Sequence, residues 1–498
     1  VPLVQIADDV DIGQTGGSAT AIADGTLDAS QITTFDVGAF LNVGEAGDAG
    51  GTRDSTGNLD FSFVDSILVN DDFILGRAYS AAGAGTGLGT ATVEDGDTLN
   101  VGQALHVGQA NAKGGGTAQA TGVLTLERFH SLQVGTIFSV GQISSELDLP
   151  GGTMVSGQAD SVSSSASLTN VGTISTGSGL FAGSAFTRDN AKGSANGTFT
   201  IDTASSVTVG ADLDIGQTGS TGNPTDAGLS TGGTGNVTIR NVTGTVDIGG
   251  DIDLGTTGSA ATTVTQGNGT LLAEDIGTLS VSVDLDVGQV SGQGQSSGIG
   301  HATVRRITSF SVGHDIDVGR TAGSPNAVNS GTGTLNVSDT TMMVGFADPN
   351  AAGSLTIGNA TAASLDRANA LGNVTIERST LQLASRIAIG ELGGGGTDAT
   401  SSASGTLHVI DSDVDTPQLD IATIVGGTAG TAVGEIRLDS TLASVSGPVT
   451  MGSEGILHFG LASTTRANGT AVSGQYGAID ANSAVLSGEL QVFLLDGF

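Results

Sequence analysis

The chain has 498 residues, of which 82 are Gly, none is Cys or Trp and only 3% are aromatic. Fifteen Lys plus Arg stand against fifty Asp plus Glu, a formal net charge of −35, which argues against nucleic acid or an anionic membrane surface as a partner. No apolar run approaches the roughly 20 residues that a spanning helix needs. The 37% hydrophobic content falls at strict spacings without a 3.6-residue stripe, which excludes both a disordered chain and a helical one.

In chain order, VQIADDVDIG from Val4 enters the first unit, and a doubled phrase then recurs. It reads FDVGAFLNVG from Phe35, LNVGQALHVGQ from Leu99, LQVGTIFSVGQ from Leu132, VTVGADLDIGQ from Val207, VDIGGDIDLG from Val246, LSVSVDLDVGQ from Leu279 and FSVGHDIDVGR from Phe310. In every copy the first apolar residues of the two halves are six positions apart, and a further apolar segment sits eight positions before a first half, as at Leu27, Leu59, Leu124, Phe199 and Leu271. Length varies only in one Gly/Ser/Ala-rich interval per unit, which is the mark of a solenoid.

Within Leu99-x-Val101 and Leu105-x-Val107 the apolar residues are two apart, so in a strand both face inward and the residue between them faces out. Gly102, Gly108, Gly141, Gly216 and Gly288 follow at once and are read as corners that accept positive φ. Each unit therefore supplies three short strands, and stacked units form parallel ladders around a shared core. The expected fold is an all-β parallel β-helix. The general preference for right-handed crossovers favours a right-handed coil, although the six-residue offset is also that of left-handed hexapeptide helices.

Residues 1–345 are read as regular coils, with an irregular coil or long loop over 143–196. Residues 346–474 read as a less regular continuation in which the doubled phrase decays. Residues 475–498 read as strands that cap the stack or add to a neighbour's sheet, because an open end leaves strand edges unpaired. Variable segments such as Gly44–Gly57, Gly219–Gly235 and Thr321–Gly333 are expected to leave from one edge.

The phrases G-T-L-x-V and L-x-[IV]-G, with the closing Tyr476-Gly477-x-Ile479 and Leu486-Ser487-Gly488-x-Leu490-x-Val492, resemble the passenger-associated β-solenoid repeats of autotransporter-type and large secreted bacterial proteins. That resemblance implies a β-helical, extracellular, non-enzymatic protein. The Val-Pro start is what removal of a leader would leave, which fits a secreted or cell-surface location.

Three functional classes follow. The first is a structural subunit of a filament, sheath or matrix whose partner is itself. The second is a monomeric adhesin that binds a surface glycan through its variable loops. The third and weakest is a polysaccharide-degrading enzyme, because β-helical lyases and hydrolases pair carboxylates with Lys or Arg beside aromatic platforms, whereas this chain has two lysines and no Trp. His106, His130, His301, His314, His408 and His458 form no metal-ligand spacing, and His106 reads as a solvent-facing strand residue. Gln103, Gln109, Gln142, Gln217 and Gln289 read as a stabilising amide ladder.

The one candidate metal constellation is acidic. Asp212/Asp214, Asp251/Asp253, Asp284/Asp286 and Asp315/Asp317 flank the first apolar residue of the second half in four consecutive units, and both members of each pair are expected to face outward. Stacking spaces them about 6.6 Å along the strand and about 4.8 Å between coils. Neighbouring carboxylates then repel by roughly 1 kcal/mol in water. Calcium would relieve that repulsion; the competing reading is a solvated, repulsive face.

Overall fold

A computed structural model of the chain describes residues 3–16, 20–47, 51–113, 115–146, 158–188, 192–221, 230–259, 264–323, 327–346, 353–361, 367–394, 401–425, 430–461 and 475–494. It is an all-β parallel β-solenoid of about 13 turns, with 38 strands and no helix among the described residues. The chain divides into two compact units, Val1–Gly249 with Thr262–Leu271, and Gly250–Ala261 with Leu272–Phe498.

One coil of the first unit shows how the sequence is used. The strand Ala84–Val101 turns Gly87, Gly89, Ala91 and Val93 inward along its first side. It bends at Asp95, whose φ is 56°, and then buries Leu99 and Val101 on a second side. After a turn at 102–104, the strand Leu105–Lys113 buries Leu105 and Val107 on a third side. The ladder is in register throughout, with Leu99 opposite Leu132, Val101 opposite Val134, Leu105 opposite Phe138 and Val107 opposite Val140.

Beyond the three expected sides, most described coils carry a fourth, returning segment, although the coil that ends at Leu442–Met451 passes directly into Gly455–Leu461. Past Gly108 the chain folds back so that Ala110 and Ala112 pack with Ala118 and Ala120 of the strand Thr117–Val134 in a slab of small residues. Only a thin layer fits there, because the Gly108 corner lies against the backbone of Gly122. The cross-section therefore has a wide lobe filled by Val, Leu, Ile and Phe and a narrow one filled by Ala. Full burial of each large side chain in the wide lobe is worth about 1.5–3 kcal/mol.

Gly102 differs from the other corner glycines. Its φ is not positive, contrary to the sequence reading; glycine is needed because a Cβ would collide with the carbonyl oxygen of Asn70 in the previous coil. The core expectation holds, with Val101, Val107, Val134, Val140, Ile215, Ile248, Val287, Val312 and Val318 all buried.

The stretch 143–196 contains a coil in register with both neighbours. Gln158–Thr176 pairs Ile174 with Leu132 and with Val207, with a register shift just after Ser161. Leu180 follows Ile174 at the same six-residue offset, hidden because Ile174-Ser-Thr and Leu180-Phe-Ala break the Val-Gly pattern. Residues 147–157 and 189–191 lie outside the described residues.

In the second unit the ladder continues past 345, with Leu355 opposite Ile387 and Ile387 opposite Leu419. Strands are split at the first corner there, as in Arg367–Glu377 and Thr380–Leu383. The strands Ala478–Leu486 and Glu489–Leu494 pair in parallel with Leu442–Met451 and Gly455–Leu461. The variable segments were drawn too wide: their ends are the returning segment and the next first side, as at Thr218–Thr221 and Thr52–Val69. Their tips at 48–50, 222–229 and 324–326 fall outside the described residues.

Candidate functional site: a polar groove at the glycine corners

Because the chain bends inward at each corner glycine, the outward side chains just before and just after that glycine face one another across a re-entrant groove. Arg320, which follows Gly319, reaches the carboxylate of Asp317 at 2.6 Å from across it. The middle residues of the third side line this groove, and many are covered: Asn42, Ile74, Ser139 and Asp214 in the first unit, and Asp286, Asp317 and Asp420 in the second.

This corrects the expectation that both aspartates of each pair face solvent. Asp214, Asp286 and Asp317 are only 4%, 9% and 7% exposed, and Asp253 is half-buried. The period-two argument places them correctly on the side away from the core, but the returning segment then folds over that side. His106, read as solvent-facing, is half-buried, and desolvation pushes its pKa down to about 4.

The first member of each pair does different work. Asp251 Oδ1 accepts the backbone N–H of Asp284 at 2.9 Å, Asp284 Oδ1 that of Asp315 at 2.8 Å, and Asp315 Oδ1 that of Ser354 at 2.7 Å. In the first unit Asp72 holds Ala104 N–H in the same way at 2.9 Å. Each carboxylate thus caps the entrance to the third side of the next coil. Asp212 and Asp214 belong to the first unit, and the other six aspartates to the second.

Charge is densest in the groove of the second unit. Burial pushes Asp286 up to about 9, reinforced by the charges of Asp317, Asp253 and Asp284 and opposed by Arg320. Burial also raises Asp317, although Arg320 beside it works the other way. Asp420 sits near Arg386, which forms an ion pair with Glu391 at 2.7 Å. In the first unit Glu45 is raised by burial, against the pull of Arg77 and a hydrogen bond from Gln14. No three His, Cys, Asp or Glu side chains converge as a metal-holding group among the described residues.

The groove also contains a Ser–His pair that the spacing did not reveal. His106 Nδ1 lies 2.6 Å from Ser139 Oγ one coil on. Ser139 is 1% exposed, so its hydroxyl is closed to a substrate, and a histidine with its pKa near 4 is a weak base at neutral pH. The pair is a packing hydrogen bond between coils. Gln103 binds Asp71 in the previous coil at 2.8 Å instead of joining an amide ladder.

A second feature missed in the sequence is an alternating charge ladder at the first corner. In the second unit Asp275, Arg306, Asp339, Arg378 and Asp411 all occupy this corner with positive φ. Arg306 binds both oxygens of Asp275 at 2.7 and 3.1 Å, and Arg378 binds both of Asp339 at 2.7 and 3.0 Å. The signal was legible as Asp-Arg alternation one unit apart, but no apolar pattern calls attention to it. Asp339, Thr340, Arg378, Ser379 and Asp411 line an open depression beside it.

Fold and groove together define a repeat protein of the parallel β-solenoid class. Comparison with family models, with curated proteins and with solved structures gives no match to this chain.

Proposed function

We propose that the protein is an extracellular structural subunit that assembles with copies of itself through the apolar faces of its first and last described coils. The observation that carries this reading is the apolar face of the last described coil. Leu490, Val492 and Leu494 stack in register on Leu457, Phe459 and Leu461. Leu457, with a coil on either side, is 3% exposed, whereas Leu490 and Val492 are 58% and 57% exposed. An apolar strand face this exposed among the described residues is an association surface. The first coil offers matching material in the strands Leu3–Ile6 and Val10–Ile12, where Leu3 is 62% exposed. A second copy stacked there would continue the same parallel ladder.

The extracellular setting is supported by the resemblance to autotransporter passenger repeats and by the acidic, lysine-poor composition. Among the described residues no helix is long and apolar enough to cross a membrane. Electron microscopy and sedimentation of the full chain test the reading. Ordered fibres are expected, and a Leu490→Lys, Val492→Lys double variant should remain monomeric with an unchanged circular dichroism spectrum. A wild-type chain that stays monomeric at high concentration would overturn it.

The adhesin reading draws on the depression beside Arg378, where hydroxyl and charged groups converge on an open surface as in sugar sites. Glycan-array binding lost in Arg378→Ala would favour it.

A further inference from the structure

One oxygen atom in the groove of the second unit is buried without a hydrogen bond: the hydroxyl of Thr256 has no partner among the described residues. Leaving such a group unmatched costs free energy unless a ligand satisfies it. Across the groove from it stands Asp286, nine-tenths buried. They belong to adjacent coils. Asp253 is directly opposite Asp286 on neighbouring strands, and Thr257 N–H binds the Gln289 carbonyl at 3.0 Å, which sets Thr256 beside Gln289. Thr256 and Gln289 follow Gly255 and Gly288, the same place from which Arg320 reaches across to Asp317 one coil further on.

We propose that the groove between Asp253 and Asp286 binds a single calcium ion, with the Thr256 hydroxyl and the Gln289 side-chain carbonyl as further oxygen ligands. Arg320 shows that this groove takes a positive charge: two coils beyond Thr256, at the equivalent position after the corner glycine, its guanidinium reaches Asp317. The spacing selects the ion. Carboxylates on neighbouring parallel strands stand about 4.8 Å apart, twice the calcium–oxygen distance of about 2.4 Å, whereas magnesium demands about 2.1 Å and an octahedral shell. The outer aspartates Asp251 and Asp284 hold backbone N–H groups, so the eight-residue grid expected from sequence contracts to one site. The site is independent of the assembly reading.

The test is calorimetric titration of calcium chloride into the full chain after chelator dialysis at pH 7.5, with thermal unfolding alongside. Expected are one bound calcium, a rise in Tm of about 2–4 °C at saturation, magnesium at least tenfold weaker, and at least a tenfold loss of calcium affinity in both Asp286→Asn and Thr256→Val. Both substitutions are nearly isosteric, and their Tm in chelator reports folding separately. Absence of binding by the wild type, equal affinity for magnesium, or calcium affinity unchanged in both variants would overturn the proposal.

Discussion

Two columns of residues in the second unit share one backbone conformation and follow opposite side-chain rules. At the outer corner Asp275, Arg306, Asp339, Arg378 and Asp411 have φ between 45° and 54°; at the inner corner Gly255, Gly288, Gly319, Gly358 and Gly390 have φ between 62° and 71°. A left-handed residue with a side chain costs about 1–2 kcal/mol. On the outer, convex corner the Cβ points to solvent, and Asp–Arg pairs between coils offset that cost. On the inner, re-entrant corner the following coil lies against the chain, and a Cβ on Gly288 would collide with the carbonyl oxygen of Thr332. Close approach of backbone, more than the sign of φ, is what demands glycine here.

The largest test of that contrast is Gly288→Ala. It combines strained φ with a backbone collision and is expected to lower stability by about 4 kcal/mol or more, or to abolish cooperative unfolding. A Tm within a few degrees of wild type would show that the corner can open, and the comparison would fail. Gly102→Ala separates the two causes, since φ is not positive there but a Cβ meets the Asn70 carbonyl. A loss of about 1–3 kcal/mol in denaturant unfolding is expected if close approach is decisive; a neutral result would return the weight to φ.

The groove made by the inner corner can be probed by pH. His106 titrates near 4 in the folded chain against 6.5 as its ordinary value. Between those values the unfolded chain binds the proton and the folded chain does not, so stability falls as pH drops from about 6.5 to 4. The loss is on the order of 3 kcal/mol at most, and His106→Gln should remove that part of the pH dependence; an identical profile in the variant would mean that the groove admits water to the ring. The smallest effect is expected at the outer corner. Arg378→Gly loses an exposed pair and gains a relaxed φ, so stability should change by at most about 1 kcal/mol. A much larger loss would make the charge ladder a principal fastener of the coils.

The same contrast explains what could be read in advance. The apolar pairs of Leu99-x-Val101 and Leu105-x-Val107 report strand period and unit length directly, because inward positions must be apolar wherever coils stack. The coil at Gln158–Thr176 escaped because Ile174 and Leu180 keep the offset while their neighbours change. Asp286 and Asp317 were placed on the correct face of the strand and given the wrong surroundings. Nothing within their own strand says that the residues after Gly288 and Gly319 fold back across them.

Sequence by itself determined the solenoid, its parallel in-register ladder and the buried Val, Ile and Leu columns, since these follow from spacing along one chain and repetition of one unit. Only the tertiary structure decided the returning segment, the alanine slab and the groove. These depend on how closely backbones approach at each corner, as where Gly108 meets Gly122. An Asp in a strand reads alike whether its outward side meets water or a folded-back segment. That is why the same aspartate pattern yields caps at Asp251, Asp284 and Asp315 and buried carboxylates at Asp286 and Asp317.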